Sequence, residues 1–449
     1  MMAYREYLAI GDVHWARGDF AMEDKFRTVG SCYAQYAGKT EAKHVDPAYA
    51  EFVRQAAEER GRVADMDWMI PAAGTDTVRE SFSAQMGRTS RAPWDEHDFR
   101  TSLLHQRSKV DSSGRVHDRE PSGSYPKSTR GADRLNIFRG GLHDKVIEAF
   151  NTLDMTKSAG WTARRIKGPK GAWNTREHLE LLSYYVRCRI LLRLCWGFRR
   201  ICKFTPSTLV RLGLMDPEEL FRKSEPHNRK KQDSRRWRLI SNVSLVDTLT
   251  QLTIHKAQNC SVIRSFQMNP SEATCVAGLG HDDQGVQAMG RVFERILAEK
   301  AHRKTRTGVT SQVELMDSDA EAWDWNVNRS GFLSSAYRRV YQQYPEYGLQ
   351  AIDRDDDDPD PPLEFEWTWE LFMCEAITSS AHIFVIGKDL VEPLQFGIMS
   401  TGSGSTTGDN SDIREVGARM SGAVDLAVVG DELFMLSCLS QEKSDEMFR

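Results

Sequence analysis

Asp319 and the adjacent pair Asp431-Glu432 are typed and spaced as ligands for two metal ions in phosphoryl transfer. Asp319 ends a strand-like run at 313–319 and opens the segment Asp319-Ala-Glu-Ala-Trp-Asp324. Asp431 and Glu432 follow Gly430 between two runs of strand formers, 423–429 and 433–436, which predict a hairpin. Carboxylates at strand ends can converge on a site a few ångströms wide. Two divalent ions held there, Mg²⁺ or Mn²⁺, activate a 3′ hydroxyl and stabilise a leaving pyrophosphate. Asp317 competes with Asp319, because residues two apart share a strand face. The Trp323-Asp-Trp325 that follows favours Asp319, since the spacing Asp-x4-Asp then sets Asp324 past the turn, beside an incoming ribose.

Between the two carboxylate segments lies Thr401-Gly402-x3-Thr406-x3-Asn410. Asn410 could hydrogen-bond Asp324, and together they could sense a 2′ hydroxyl, which both donates and accepts. That favours a ribonucleotide product. The Gly-rich turn at 401–408 permits close backbone approach to template or nucleotide. It is neither a Walker loop nor a dinucleotide fingerprint, and standing alone it would be a plain flexible loop. Upstream, Lys223-Ser-Glu-Pro-His227 precedes Arg235-Arg-Trp-Arg-Leu-Ile240 and Val243-Ser-Leu-Val-Asp247. Arg236 and Arg238 alternate, so in a strand they share a face and could grip a triphosphate, with Lys223 neutralising a further phosphate. The plainer alternative is a solvated basic strand.

The elements that must position these residues are legible in part. The chain has 449 residues, 40% hydrophobic and 28% charged, enough for two or three cores or one multi-lobed enzyme. Its net charge of −4 hides an asymmetry: residues 101–240 hold 30 Lys/Arg against 14 Asp/Glu, as expected of a protein that holds a polyanion and also binds metals. No apolar run reaches the ~18 residues of a membrane span. Eight cysteines without a CxxC pair fit reduced thiols, and Cys188, Cys195 and Cys202 read as core positions. Residues 1–100 read as short helices and loops, clearest at 50–64, and 107–133 as an exposed, mobile basic loop. A helix is expected over 178–204, its Arg187, Arg189, Arg193, Arg199 and Arg200 facing RNA or a membrane surface unless it merely buries one face. The acidic stretch 353–370 reads as a solvated connection, and 410–420 as a helix.

At these residues the chain resembles the RNA-dependent RNA polymerases of positive-strand RNA viruses, in particular the sobemovirus, polerovirus and barnavirus group. The segment 216–247 resembles that group's Lys-x-Glu-Pro-His, Arg-x-Arg-Leu-Ile and Val-Ser-Leu-Val-Asp signature. Trp323-Asp-Trp325 resembles its first palm motif, and Gly402, Thr406, Asn410 and Ser411 match its second. The similarity runs roughly from residue 205 to 434. It implies an α+β right-hand polymerase: an N-terminal extension over 1–100, basic fingers over 101–310, and a palm over 311–449 built as an antiparallel sheet with flanking helices. It implies RNA template and product and ribonucleoside triphosphates as partners, a viral protein primer or helper chain besides, and replication in the host cytoplasm in membrane-associated complexes. Asp319, Asp431 and Glu432 would be the catalytic metal ligands. Asp324, Asn410, Thr401, Gly402, Thr406, Lys223, Arg236 and Arg238 would bind the nucleotide.

Four departures stand out. Gly430-Asp431-Glu432 replaces Gly-Asp-Asp, Thr401 replaces Ser, and Glu321-Ala322 replaces Ser-Gly. Only 17 residues follow Glu432, with Lys443 the single lysine among them, so the thumb is expected to be largely absent. The alternatives are an RNA-binding protein of polymerase ancestry without useful catalysis, and a reverse transcriptase. Asp324 disfavours the latter, which normally has a bulky aromatic there.

Overall fold

The computed structural model describes residues 14–16, 21–22, 25–32, 43–44, 46–61, 69–89, 108–110, 116–118, 141–161, 168–268, 273–277, 282–306, 314–319, 322–344, 361–394, 396–420 and 423–437. The strands that matter here are β1 (Phe26–Ser31), β2 (Glu218–Arg222), β3 (Leu239–Asn242), β4 (Glu314–Asp319), β5 (Phe384–Ile386), β6 (Asp389–Pro393), β7 (Ala423–Val429) and β8 (Glu432–Ser437). The helices that matter here are α1 (Thr75–Gly87), α2 (Leu142–Phe150), α3 (Arg176–Trp196), α4 (Leu245–Met268), α5 (Asp283–Arg306), α6 (Arg329–Gln343), α7 (Leu363–Ser379) and α8 (Thr406–Met420). The architecture is mixed α+β.

A seven-stranded sheet runs from the short strand His14–Trp15 through β1, β6, β5 and β2 to β3, with Ala21–Met22 also paired to β1. All its pairings are antiparallel except β5 with β2. The N-terminal segment, read as helices and loops, therefore also supplies strands to the main sheet. Val78, Phe82 and Met86, spaced four apart on α1, form the stripe that packs on this sheet. Phe82 meets Phe26 and Phe384 edge-on at 4.9 and 5.5 Å between ring centres. Trp325 meets the same ring at 6.0 Å, which ties the turn after β4 to the large sheet.

The second sheet is three-stranded and antiparallel, in the order β4-β8-β7. The two-residue period gives it two apolar faces. Met316, Leu433, Met435, Leu426 and Val428 face Ala418 of α8. Leu436, Ala427 and Phe434 face α5, where Phe293 and Phe434 stack edge-on at 4.9 Å. The sheet is thus clamped between two helices. Helices α3, α4, α6 and α7 form the main core. Buried residues run nearly all round α7 from Leu371 to Thr378, as a central helix requires.

Three expectations need correction. The helix expected over 178–204 stops at Gly197, which takes φ +71°, and Arg189 and Arg193 point inward. Arg189 is 0% exposed and ion-paired to Asp216 and Asp247; Arg193 pairs with Glu375. These two arginines hold the core together rather than face RNA or a membrane. Cys195 is exposed and Cys188 and Cys202 are half-buried; the break at Gly197 takes Cys202 off the helix that carries the other two. The acidic connection is shorter than expected, since α7 already begins at Leu363; residues 353–360 lie outside the described residues. Most of the basic 107–133 loop also lies outside them, with 108–110 and 116–118 pairing as a short hairpin.

Candidate polymerase site

Strand register brings the carboxylate segments together. Val429 pairs with Glu432 across the β7–β8 hairpin, leaving Gly430-Asp431 as a two-residue turn. Gly430 has φ +62°, and Asp431 is not among the non-glycine residues with positive φ. That is the glycine-first turn whose twist suits a tight hairpin. On the other side of β8, Asp319 pairs with Glu432 and Asp317 with Phe434. Asp319 and Glu432 therefore stand opposite each other at the strand ends, with Asp431 at the adjoining tip. Glu432 and Asp317 are exposed and Asp431 is half-buried; the side chain of Asp319 lies outside the described residues.

After β4 the chain passes through Ala322, at φ 54°, into a single helical turn, Trp323–Asn326. A left-handed backbone costs a non-glycine residue about 1–2 kcal/mol. This gives a physical meaning to the Ala322 departure: the position demands the conformation that glycine adopts freely. The turn aims its side chains at α8. Trp323 Nε1 donates to Asn410 Oδ1 at 2.9 Å, which brings the Asn410 amide to the side of Asp324. The Asp324 carbonyl accepts from Met399 N at 2.7 Å. Burial pushes the Asp324 carboxyl up to about 6, and the charge of Asp431 adds to the rise, while Asn410 and Arg238 oppose it. Four residues from four separated segments thus share one electrostatic neighbourhood.

The Gly-rich turn lies against β3. Thr401 Oγ1 accepts the Ser241 N–H at 3.2 Å, and a Cβ on Gly402 would stand 2.3 Å from the Ser241 carbonyl oxygen. The close backbone approach expected toward a ligand is, in the folded chain, an approach to β3. Thr406 Oγ1 donates to the Ser400 carbonyl at 2.6 Å, closing the turn at the start of α8. Behind it, Ser400 and Ser241 hydroxyls donate to Glu218, whose other oxygen meets His382 Nδ1 at 3.0 Å. Burial raises the Glu218 carboxyl, but His382 and the two hydroxyls outweigh it and hold it below the usual range.

The basic residues stand at the open end of the β2–β3 pair. Arg236, half-buried, and Arg238, exposed, flank the buried Trp237 just before β3 begins at Leu239, so the strand that would give them a common face does not include them. Arg238 is exposed and bonds Glu225 at 3.3 Å, and Lys223 bonds the same carboxylate at 2.8 Å. Arg236 Nε donates to Ser234 Oγ at 2.8 Å. His227, from the Lys-x-Glu-Pro-His segment, accepts the Arg238 N–H at 3.0 Å and packs on Trp237.

Glu218, Ser400, Gln251 and Arg414 escaped the sequence reading. Gln251 holds Ser403 Oγ and Gly404 N at 2.9 and 3.0 Å. Arg414 alone carried a local signal, lying one turn beyond Asn410 on the same helix face. Among the described residues no group of three His, Cys, Asp or Glu is gathered tightly enough to hold a metal ion, and no helix is long and apolar enough to cross a membrane.

Over 230 residues, 51% of the chain, the sequence is 29% identical to the replicase polyprotein P2AB of Cocksfoot mottle virus, of which the match covers 21%. It is 30% identical over 230 residues to protein P1-P2 of Turnip yellows virus, covering 51% of this chain and 20% of that one. It is 28% identical over 148 residues to the RNA-directed RNA polymerase of Mushroom bacilliform virus, covering 33% of this chain and 31% of that protein. The chain therefore spans about a fifth to a third of the length of these curated relatives. No family model matches it. Its homologues are sobemovirus, polerovirus and barnavirus replicases, the group its motifs resemble.

Proposed function

We propose that the chain carries the catalytic centre of a viral RNA-dependent RNA polymerase, adding ribonucleotides by two-metal nucleotidyl transfer. The observation that carries this is the convergence of three separate segments: Trp323, next to Asp324, bonds Asn410, and the adjoining Ser411 bonds Gly430, next to Asp431.

The donor set fits divalent magnesium or manganese. Asp319, Asp431 and Glu432 would be the ligands, all hard oxygen donors, grouped at one end of the small sheet by strand register. The negative charge of Asp431 acting on the partly buried Asp324 is the kind of imbalance that a bound cation offsets. When bound, such ions supply Lewis-acid activation of the primer hydroxyl and neutralise the leaving pyrophosphate.

The chain's own residues do the rest. Asp324, oriented by Asn410, accepts from the 2′ hydroxyl of an incoming nucleotide, which a deoxynucleotide cannot offer. Arg236, Arg238 and Lys223 hold its phosphates. Thr401, Gly402 and Thr406 keep the turn that supports template and nucleotide against β3. RNA template, RNA product and ribonucleoside triphosphates are the partners, and the host cytoplasm is the setting, in replication complexes.

The test is extension of a labelled RNA primer on a homopolymeric RNA template, with ribo- and deoxynucleotides supplied separately. Metal-dependent extension with the ribonucleotide and little with the deoxynucleotide is expected. Equal use of both would overturn the assigned ribose sensing. Salt-sensitive RNA binding without extension would favour the non-catalytic RNA-binding alternative.

A further inference from the structure

We propose that Ser411 and Arg414 are positioning residues, which from one face of α8 fix the Asp431 turn, the end of β4 at Ser318 and the turn at Trp323 relative to one another. This rests on the polymerase function proposed above and deepens it. Ser411, 1% exposed, accepts the Gly430 N–H at 2.9 Å and donates to the Thr407 carbonyl at 2.7 Å. Its hydroxyl is used in both directions. Three residues on, the buried Arg414 donates through Nη2 to the Ser318 carbonyl at 3.3 Å and the Ser318 hydroxyl at 2.6 Å. Its guanidinium also stands 5.4 Å from the centre of the Trp323 ring.

Outside α8 itself, the residues contacted each stand immediately before a carboxylate: Gly430 before Asp431, Ser318 before Asp319, and Trp323 before Asp324. Positions i and i+3 share a helix face, so one rigid element grips the end of β4, the helical turn after it and the hairpin turn at once. The hairpin turn needs such a grip. A Cβ on Gly430 would meet nothing within 4 Å, so the hydrogen bond, not packing, steadies that side of the turn. Displacement of a reacting group by ~1 Å can cost about 10²-fold in rate, so a tether of this kind acts on turnover rather than on nucleotide affinity.

The experiment uses the full chain and four variants: Ser411→Ala, Ser411→Thr, Arg414→Met and Arg414→Lys. Hydrogen exchange at the 428–434 segment is measured beside single-nucleotide kcat and KM. Ser411→Ala should exchange faster there, with kcat down about 10- to 100-fold and KM for the nucleotide within about threefold. Ser411→Thr, which keeps the hydroxyl, should recover most of the loss, and Arg414→Met should fall like Ser411→Ala. Faster exchange with unchanged kcat would overturn the proposal while leaving the polymerase function standing. A folded wild-type chain that extends nothing would instead remove the polymerase function, and this proposal with it. Should Ser411→Ala not fold, Arg414→Met decides: reduced kcat at constant KM, recovered in part by Arg414→Lys, supports positioning, and wild-type kcat in Arg414→Met refutes it.

Discussion

Two groups of charged side chains in this chain use the same residue types and end in opposite conditions. In the helical core, Arg189 meets both oxygens of Asp216 at 2.8 and 3.1 Å, and Arg193 meets Glu375. Between α6 and α8, Arg339 meets Asp409 at 3.0 Å and Arg338 meets Glu415 at 2.8 Å. Each buried acid there has a guanidinium. At the end of the small sheet, acidic residues gather without a matched guanidinium among the described residues: the charge of Asp431 bears on Asp324, and the exposed Glu432 pairs in backbone register with Asp319. Matched charge in the interior fixes one packing, whereas like charges brought together signal chemistry.

The comparison breaks most visibly in the core. Arg189→Met leaves Asp216 and Asp247 buried without their shared partner. It should lower unfolding free energy in urea by about 3–5 kcal/mol, while activity per folded molecule is retained. Loss of activity in the folded fraction would blur the division between the two regions. Next in size, Asn410→Ala removes the amide that joins Trp323 to Asp324. A hydrogen bond to a charged group is worth about 1.5–3 kcal/mol, so preference for ribo- over deoxynucleotide should drop about 10- to 100-fold. Unchanged selectivity would mean that Asn410 serves only the fold. Smallest is Thr401→Val, which removes the acceptor for Ser241 N–H at 3.2 Å. A stability loss of about 1 kcal/mol is expected, with KM for the nucleotide rising as the turn loosens. A change in kcat alone would place Thr401 nearer the chemistry than β3 suggests.

How much of this was legible in the sequence depended on how far each residue's partners lie along the chain. The hairpin around Gly430 and the helix that starts at Thr406 follow from local patterns, and both stand within a few residues of expectation. Asn410 with Asp324 was the exception: the ordered set of motifs suggested the pairing, although Asn410 lies 87 residues from Trp323, the neighbour of Asp324. Arg189 and Arg193 were not legible, since the acids that bury them lie 27, 58 and 182 residues away. An arginine in an amphipathic pattern reads as surface unless those partners are known. Gly402 was seen as a glycine that lets something approach, but only the fold identifies that neighbour as Ser241. The large sheet was hidden for the same reason, its strands coming from residues 14–31, 218–242 and 384–393.

The most direct measurement compares primer extension by the wild-type chain and Asp431→Ala on a homopolymeric RNA template, first with Mg²⁺ and then with Mn²⁺, beside RNA binding by both. Extension by the wild type that falls by at least about 10²–10³-fold in the variant, with RNA affinity within about threefold, is the predicted result. Substantial extension by Asp431→Ala would contradict the account and remove Asp431 from the mechanism.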